Sequence, residues 1–463
     1  MQFNKKDLYE IEIKKLAYGG QGVGKIKTDD GDFTVFVRGT IPGDKVNVRL
    51  KRIRKNYAEA ETSEILKPSD LRIEAKCKHF DICGGCTWQN LTYEKQLEFK
   101  ELIVRETIEH LGGLDGSIVR PMIKCKDEFY YRNKMEFSFG DNKNEDFVLG
   151  FHPTGMKYDV FNVEECFLQD AETITIVKKI YEFFKVRGIP RFIFNKNKGI
   201  LRSVFVRKSI HEDKFLVNLV INDKPTGWES EFVKTLQSIK KVASIYVTKI
   251  KTLKGRRTER KTEKLWGDDF LRETLKLNDD IELHFQIDPD SFFQTNTRQA
   301  EVLYNEVLKG VDEACLENNC ETAFDLYCGT GTISLVLAKK FSKVFGFEIS
   351  SAATKDADEN AAINSINNVE FVTGDVLKTV PTIKAKPDLI IVDPPRSGVA
   401  PKAIEHILEL AAKTIIYVSC NPATLARDLK IFSEGGYTTR YVQPVDMFPQ
   451  TYHVECVAVL VSG

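Results

Sequence analysis

The stretch YVSCNPATLARD, from Tyr417 to Asp428, puts a thiol where an apolar run stops. Thr414 to Val418 reads as a buried strand. Ser419, Cys420, Asn421 and Pro422 break it, and TLARDL follows with helical spacing. In α/β folds the carboxyl ends of strands are where ligands bind, so Cys420 is a candidate nucleophile. The competing reading is a small buried hydrophobe, which is what most cysteines are. Two carboxylates occupy comparable positions. Asp393 ends the apolar run DLIIV, and Pro394 and Pro395 behind it make a rigid loop, because proline fixes φ and removes a backbone donor. Glu455 opens the last apolar run, HVECVAVLV.

A second constellation uses thiols differently. KCKHFDICGGCTWQ carries Cys77, Cys83 and Cys86, and Cys166 lies far along the chain in VEECFLQ. Thiolates at this density suit zinc or an iron–sulfur cluster. Three local ligands and one distant one, with Gly84 and Gly85 letting the loop wrap, favour [4Fe–4S] and leave zinc open. Cys125, Cys315, Cys320, Cys328 and Cys456 lack comparable partners and read as structural.

The elements that would position these residues follow from hydrophobic pattern. From about 283 onward, FDLYC, KVFGFEI, VEFVTGD, DLIIVDPP, TIIYVSC and HVECVAVLV are strand candidates alternating with helical or loop segments. The pattern predicts a doubly wound, Rossmann-like parallel sheet over 283–463, its last strand returning antiparallel. FDLYCGTGTISLVLA is strand, glycine turn and helix, although it is not the full dinucleotide fingerprint. Gly329 and Gly331 let backbone approach a ligand at the helix N-terminus. Glu348, 23 residues beyond Asp325, can accept from both hydroxyls of a ribose, and Asp375 can reach an adenine amino group. These strand ends resemble the S-adenosylmethionine site of class I methyltransferases.

Upstream, residues 1–66 read as short strands with glycine turns, a small β-barrel. Its VRLKRIRK segment gathers Arg49, Lys51, Arg52, Arg54 and Lys55. Residues 67–282 read as a mixed α+β central domain, with a helix near 91–113 that can pack on the catalytic domain. That region holds a second basic run, KIKTLKGRRTERKTEK (249–264), with a loop expected at Gly255.

Length and composition agree with several folded domains. The chain has 463 residues, 42% of them hydrophobic. MQFNKKDLYE has no apolar signal segment and no run is long enough to span a bilayer, which predicts a cytoplasmic protein. Formal net charge is zero, but residues 281–463 carry 24 acidic and 15 basic side chains, whereas 1–280 carry 52 basic and 43 acidic. A basic front that holds something anionic ahead of a chemical module is one reading, and drift of surface charge is the other.

One reaction needs a thiolate and a carboxylate beside a sulfonium. Carbon 5 of a pyrimidine is a poor nucleophile until a thiolate adds at carbon 6 and makes it enolate-like. A base must then remove the carbon-5 proton before the enzyme is eliminated. Cys420 and Glu455 supply these groups, with Asp393 or Gln294 as partner for the ring. SCNPATLARD, DPPRSG, DSFFQTN (290–296) and DMFPQTYHVE together resemble the RNA uracil-5-methyltransferase family, and the barrel resembles that family's TRAM domain. Cytosine-5 RNA enzymes carry a Pro-Cys in the fourth-strand loop, where this chain has DPPR.

The resemblance implies Cys420 as nucleophile and Glu455 as proton-abstracting base. It implies Gln294, Tyr327, Glu348, Asp375 and Asp393 as the S-adenosylmethionine-binding set, with Thr332 where the family often has Asn. It also implies a [4Fe–4S] cluster on Cys77, Cys83, Cys86 and Cys166, as in ribosomal members. The expected substrate is a uridine of structured RNA, 23S ribosomal RNA first, flipped out of its stack to reach Cys420. The basic segments would grip phosphates, and Phe292 would flank the extruded ring. Transfer RNA as substrate, and a non-catalytic RNA-binding or assembly role, are the alternatives. A monomer without an obligate protein partner is expected.

Overall fold

The computed structural model describes residues 3–29, 31–223, 226–251, 258–278, 280–316 and 320–463. The N-terminal strands are β1 (Leu8–Leu16), β2 (Gly22–Thr28), β3 (Gly31–Val37), β4 (Lys45–Ile53) and β5 (Tyr57–Lys67), closed into a barrel in the order β1-β2-β3-β5-β4. Alternate residues Ile11 and Ile13, Val46, Val48 and Leu50 point inward and are buried, which is the period-two pattern of its sequence. The basic strand β4 is partly neutralised by its neighbour. Lys51 pairs with Glu61 at 2.7 Å and Arg52 with Glu59 at 3.6 Å across the ladder to β5.

Helix α1 (Tyr93–His110) follows, opened by Thr92, whose hydroxyl accepts from the Lys95 amide. Then come β6 (Lys134–Gly140), β7 (Val148–Phe151), β8 (Phe161–Asn162), α2 (Ala171–Val186), β9 (Leu201–Ser209), β10 (Lys214–Asn222), α3 (Glu229–Gln237), β11 (Val242–Lys251) and β12 (Glu259–Gly267). The strands form one sheet in the order β12-β11-β10-β9-β6-β7-β8. Helices α2 and α3 cover one face through Phe183, Phe184 and Phe232, packed on Phe137, Val204 and Val206. The basic run 249–264 falls on β11 and β12. Its middle, with the loop expected at Gly255, lies outside the described residues.

The hairpin β13 (Leu271–Lys276) and β14 (Glu282–Ile287) precedes α4 (Thr297–Leu316). Its inward residues Leu275, Leu283 and Phe285 share a core with Leu303 and Val307 of α4 and with Ile391 and Val459 of the last sheet. The catalytic body therefore begins near 271, ahead of the boundary expected at 283. Leu271, at the start of the hairpin, packs with Leu216 and Tyr246 of the central sheet, so the hairpin also bridges the two bodies.

That sheet comprises β15 (Thr322–Leu326), β16 (Lys343–Glu348), β17 (Val369–Thr373), β18 (Leu389–Val392), β19 (Thr414–Ser419), β20 (Tyr437–Val445) and β21 (Glu455–Ser462). They are joined by α5 (Thr332–Leu337), α6 (Ser351–Ile363), α7 (Val376–Thr379), α8 (Pro401–Glu409) and α9 (Pro422–Glu434). Strand order is β17-β16-β15-β18-β19-β21-β20, with the first five parallel and β21 antiparallel between β19 and β20. The mixed α/β architecture and the antiparallel return agree with expectation. TTRYVQPV, outside the six expected strands, forms β20 at the sheet edge, where Pro444 is tolerated. No helix among the described residues is long and apolar enough to cross a membrane.

Helix α1 belongs to the catalytic body. Val104 and Ile108 pack with Leu425, Ala426 and Leu429 of α9. One turn earlier the same helix turns polar side chains onto the 446–454 loop. Lys100 Nζ donates to Asp446 Oδ1 at 2.7 Å and to the Phe448 carbonyl at 3.1 Å, with both charged side chains fully buried. Tyr93 donates its hydroxyl to Asp446 Oδ2 at 2.9 Å. Gln96 Nε2 donates to Gln450 Oε1 at 3.0 Å, and the Gln450 backbone amide donates to Gln96 Oε1 at 2.8 Å. Burial pulls the Lys100 ammonium down from its ordinary value, and Asp446 opposes the shift.

Removing one partner of a buried ion pair leaves the other uncompensated, at a cost of about 3–5 kcal/mol. Lys100→Met is expected to lower stability by about that amount, read from the urea midpoint. Lys100→Met combined with Asp446→Leu is expected to recover most of the loss, and a double variant no better than the single would reject the pair as the cause.

Candidate active site

Pairing register delivers Cys420 and Glu455 to one place. Ser419 lies opposite Cys456 in the antiparallel ladder of β19 and β21, so Cys420 comes out beside Glu455. Val392 pairs with Tyr417, which sets Asp393 one strand away at the same edge. Past Cys420, Asn421 caps α9 by accepting from the Ala423 amide at 3.1 Å, with Pro422 at the first helical position. Asn421 also donates Nδ2 to the Arg396 carbonyl at 3.1 Å. Buried Asp428 accepts from the Tyr417 hydroxyl at 2.6 Å and the Val399 amide at 2.8 Å. Gly398 has φ of +75°, and a Cβ there would stand 2.6 Å from Arg427 Nη2. The DPPRSG loop and the Cys420 turn are thus locked together as one unit.

The barrel reaches into this unit. The Tyr18 hydroxyl, from the turn between β1 and β2, donates to the Cys420 carbonyl at 3.0 Å. Its ring meets Tyr452 edge-on at 5.6 Å, and Tyr452 leans on His453 at 4.2 Å. Nothing in the sequence signals this contact, because its partners are 402 residues apart.

Burial dominates the electrostatics. It pushes the Cys420 thiol up to about 11, with Glu455 and Asp393 adding to the shift and Arg396 opposing it. Burial and Asp393 raise Glu455 well above the carboxylate range, again against Arg396. Burial alone raises Asp393 to about 7. Groups this close titrate as a set, so they share fewer charges than there are acids. Buried Tyr304 of α4 belongs to the set: burial raises its hydroxyl, and Asp393, Glu455 and Asp325 add to the effect. The Gln294 side chain opposes the shift of Tyr304, a proximity that helical spacing alone could not reveal.

On the neighbouring strand ends lies the glycine turn. Tyr327 takes the left-handed φ of +69°, and its amide and that of Cys328 bond the Phe347 carbonyl at 2.9 and 3.0 Å. Gly331, at φ +81°, could not carry a Cβ, which would stand 2.7 Å from Phe371. Glu348 accepts from the Gly329 amide at 3.1 Å and the Ser350 amide at 2.8 Å. Asp375 caps α7, accepting from the Leu377 amide at 3.0 Å. The segment bearing Gln294 is pinned from the central sheet, Asn133 Nδ2 donating to the Gln294 carbonyl at 2.8 Å. Beside it, Phe292 is 66% exposed and its carbonyl accepts from Thr330 at 3.2 Å. All five residues expected to hold the cofactor therefore stand around one sheet edge.

Those residues fit a cationic nucleoside. Asp325 is buried beneath the turn, with one oxygen accepting from Ser334 at 2.5 Å and the other without a partner among the described residues. Burial raises it to about 7, and Asp393 and Glu348 add to the shift. Carboxylates crowded at adjacent strand ends favour a ligand bearing an ammonium and a sulfonium.

The four other cysteines singled out by spacing face a common cavity. Cys77, Cys83, Cys86 and Cys166 line one cavity of about 900 Å³ between the barrel and the central sheet, with Gly84 and Gly85 in its wall. Burial, reinforced by the neighbouring thiols, pushes Cys83 up to about 11 and Cys86 up to about 12. Among the described residues no group of three or more His, Cys, Asp or Glu is gathered tightly enough to hold a metal ion. All ten cysteines are free thiols.

Because Glu455 adds to the upward shift of Cys420, Glu455→Gln is expected to lower the thiol's pKa from about 11. The pH profile of iodoacetamide alkylation at Cys420 reads this directly, each unit of pKa being worth about tenfold in thiolate at fixed pH. An unchanged profile would show that the two side chains do not share a field.

Comparison with known proteins bears on this geometry. The family described as tRNA (uracil-5-)-methyltransferase matches residues 92–462, and the TRAM domain matches residues 5–62. A Clostridium tetani protein described as an uncharacterized RNA methyltransferase is 37% identical, covering 99% of this chain and 98% of its own. One from Caldanaerobacter subterraneus is also 37% identical, over 98% and 99%. The crystal structure of Pyrococcus abyssi tRNA (uracil-54, C5)-methyltransferase with S-adenosyl-L-homocysteine aligns over 98% of this chain and 100% of that one, with TM-score 0.75 and 28% identity. A chain built on this frame, matched by that family model over most of its length, belongs to the tRNA (uracil-5-)-methyltransferase family and is an S-adenosylmethionine-dependent RNA (uracil-C5)-methyltransferase with a TRAM domain.

Proposed function

We propose that the protein methylates carbon 5 of a uridine in 23S ribosomal RNA through a covalent adduct between Cys420 and carbon 6. The observation that carries this reading is the meeting of Cys420, Glu455 and Asp393 at one sheet edge, beside the glycine turn. Cys420 Sγ bonds to carbon 6, and the electron pair of the 5,6 bond moves to carbon 5 and the ring carbonyl. Carbon 5 takes the methyl group of the sulfonium, whose carbon–sulfur bond breaks to leave S-adenosylhomocysteine. Glu455 accepts the carbon-5 proton, the 5,6 double bond re-forms and the thiolate leaves. Burial makes Glu455 an unusually basic carboxylate, which suits a group that must pull a proton from carbon. The same burial keeps Cys420 protonated in the free protein, so a sulfonium bound nearby would favour its thiolate.

In this reading Gln294, Tyr327, Glu348, Asp375 and Asp393 bind the methyl donor. A folded RNA cannot present a stacked base to a half-buried thiol, so the uridine is flipped out, with exposed Phe292 beside it. Cys77, Cys83, Cys86 and Cys166 hold a [4Fe–4S] cluster, supported by the shared cavity and the two glycines in its wall. Methyl transfer is redox-neutral, so the cluster's contribution is to tie barrel and central sheet. Such a protein acts in the cytoplasm, as a monomer. A second reading is transfer RNA, which the Pyrococcus abyssi neighbour acts on by its description, with a chain that aligns from end to end. The barrel therefore does not decide between the two RNAs.

Cys420→Ala is expected to abolish 5-methyluridine formation, and wild type is expected to form a denaturant-stable adduct with RNA containing 5-fluorouridine. With the thiol of the free protein near 11, its thiolate fraction rises about tenfold per pH unit up to that value, and alkylation of Cys420 without methyl donor should follow it. Methylation by the alanine variant would refute the mechanism. Nucleoside mass spectrometry of ribosomal and transfer RNA from cells lacking the gene separates the two substrates.

Anaerobically purified protein is expected to contain iron and acid-labile sulfide, and Cys83→Ser to lose both along with RNA affinity while S-adenosylhomocysteine binding persists. Zinc at one equivalent without sulfide would replace the cluster with a single ion.

A further inference from the structure

The central sheet buries one face beneath α2 and α3 and leaves its other face as a groove of about 1000 Å³. Phe205 and Glu136 sit on its floor as a cross-strand pair of β9 and β6. Its wall, residues 191–195, presents Phe194, 69% exposed, edge-on to Phe192 at 5.1 Å. The Arg202 guanidinium lies over the Phe192 ring at 3.7 Å and 5.3 Å from that of Phe194. Tyr158, 68% exposed, faces the groove with Lys157 beside its ring at 5.6 Å. Large rings this exposed, interleaved with cations, do not serve the core.

We propose that this groove binds an unpaired stretch of the substrate RNA, stacking bases on Phe194 and Tyr158 while Lys157 and Arg260 meet the phosphates. Every base offers a π-face, so aromatic rings on an open sheet hold single strands of any sequence. Arg260 is engaged with Asp290 at 2.6 Å, but that pair is solvent-exposed and worth little, so a phosphate can displace it.

Position supports the assignment. Asp290 lies two residues before exposed Phe292, whose carbonyl is tied to the glycine turn by Thr330. At the other end, His152 lines both this groove and the cysteine cavity, its ring bonded to Ser138 Oγ at 3.1 Å and the Asp159 carbonyl at 2.9 Å. An RNA strand leaving the flipped uridine thus has a path along the sheet toward the barrel. The inference rests on the reading of a structured RNA as substrate.

The test uses the full-length protein and a short fluorescein-labelled oligouridylate. Phe194→Ala with Tyr158→Ala, both at exposed positions, is expected to weaken binding about tenfold or more, since each base stacked on an aromatic ring contributes that order. Phe194→Trp is expected to retain affinity, and S-adenosylhomocysteine binding should be unchanged in both. A 2-aminopurine base in the oligonucleotide should be quenched by wild type and not by the double variant. Unchanged affinity, or unchanged quenching, would overturn the proposal. Cys420→Ala is expected to bind the oligonucleotide as wild type does. Groove-dependent binding in a protein that never forms 5-methyluridine would sink the reaction and leave the groove.

Discussion

The arrangement depends on a buried polar grip of α1 on the loop before β21. Tyr93, Gln96 and Lys100 share one face of the helix and engage Asp446, Phe448 and Gln450 with no exposed charge. A loop rich in polar backbone can be buried only if its groups are satisfied, and here the helix satisfies them. The consequence is positional. The loop hands the chain into β21 at a defined register, and that register brings Glu455 beside Cys420. An apolar helix could cover the same surface but would not select one loop conformation.

Given that geometry, the pocket's chemistry follows from desolvation. Cys420, Glu455, Asp393 and Asp325 are all displaced toward their neutral forms, chiefly by burial. Arg396, from the loop that also holds Asn421, is the cation that opposes the shift at Cys420 and Glu455. In the proposed reaction a bound cationic cosubstrate would oppose these shifts and favour the charged forms that a thiolate and a base require. The stability lost by crowding acids together is offset by the surrounding core, where β15, β18 and β19 are buried along nearly their whole length.

The appended parts are not passive handles. The Tyr18 hydroxyl ties the barrel to the backbone of Cys420 itself. Asn133 and Arg207 of the central region hold the 288–297 segment, Arg207 donating to the Ser291 carbonyl at 2.9 Å and Asn133 to Gln294 and Thr297. An RNA held on either part would thereby lie mechanically adjacent to the glycine turn and the thiol.

Much of this was legible in the residues. Cys420 announced itself because a strand pattern ended on it, and Glu348, Asp375 and Asp393 because carboxylates closed successive apolar runs. The thiols at 77, 83, 86 and 166 stood out by spacing, and the structure gathers them at one cavity. Less legible was TTRYVQPV, whose strand β20 forms at an edge where Pro444 obscures the pattern. The hairpin from 271 to 287 likewise joins the catalytic core earlier than alternation indicated. Local pattern by itself determined the strands, the turns and which side chains stand at the strand ends, since periodicity and backbone chemistry act over a few residues. Tertiary structure alone decided that Tyr18 and Tyr304 stand beside those groups and that the polar face of α1 grips the loop before β21, because contacts spanning hundreds of residues depend on how separate layers pack.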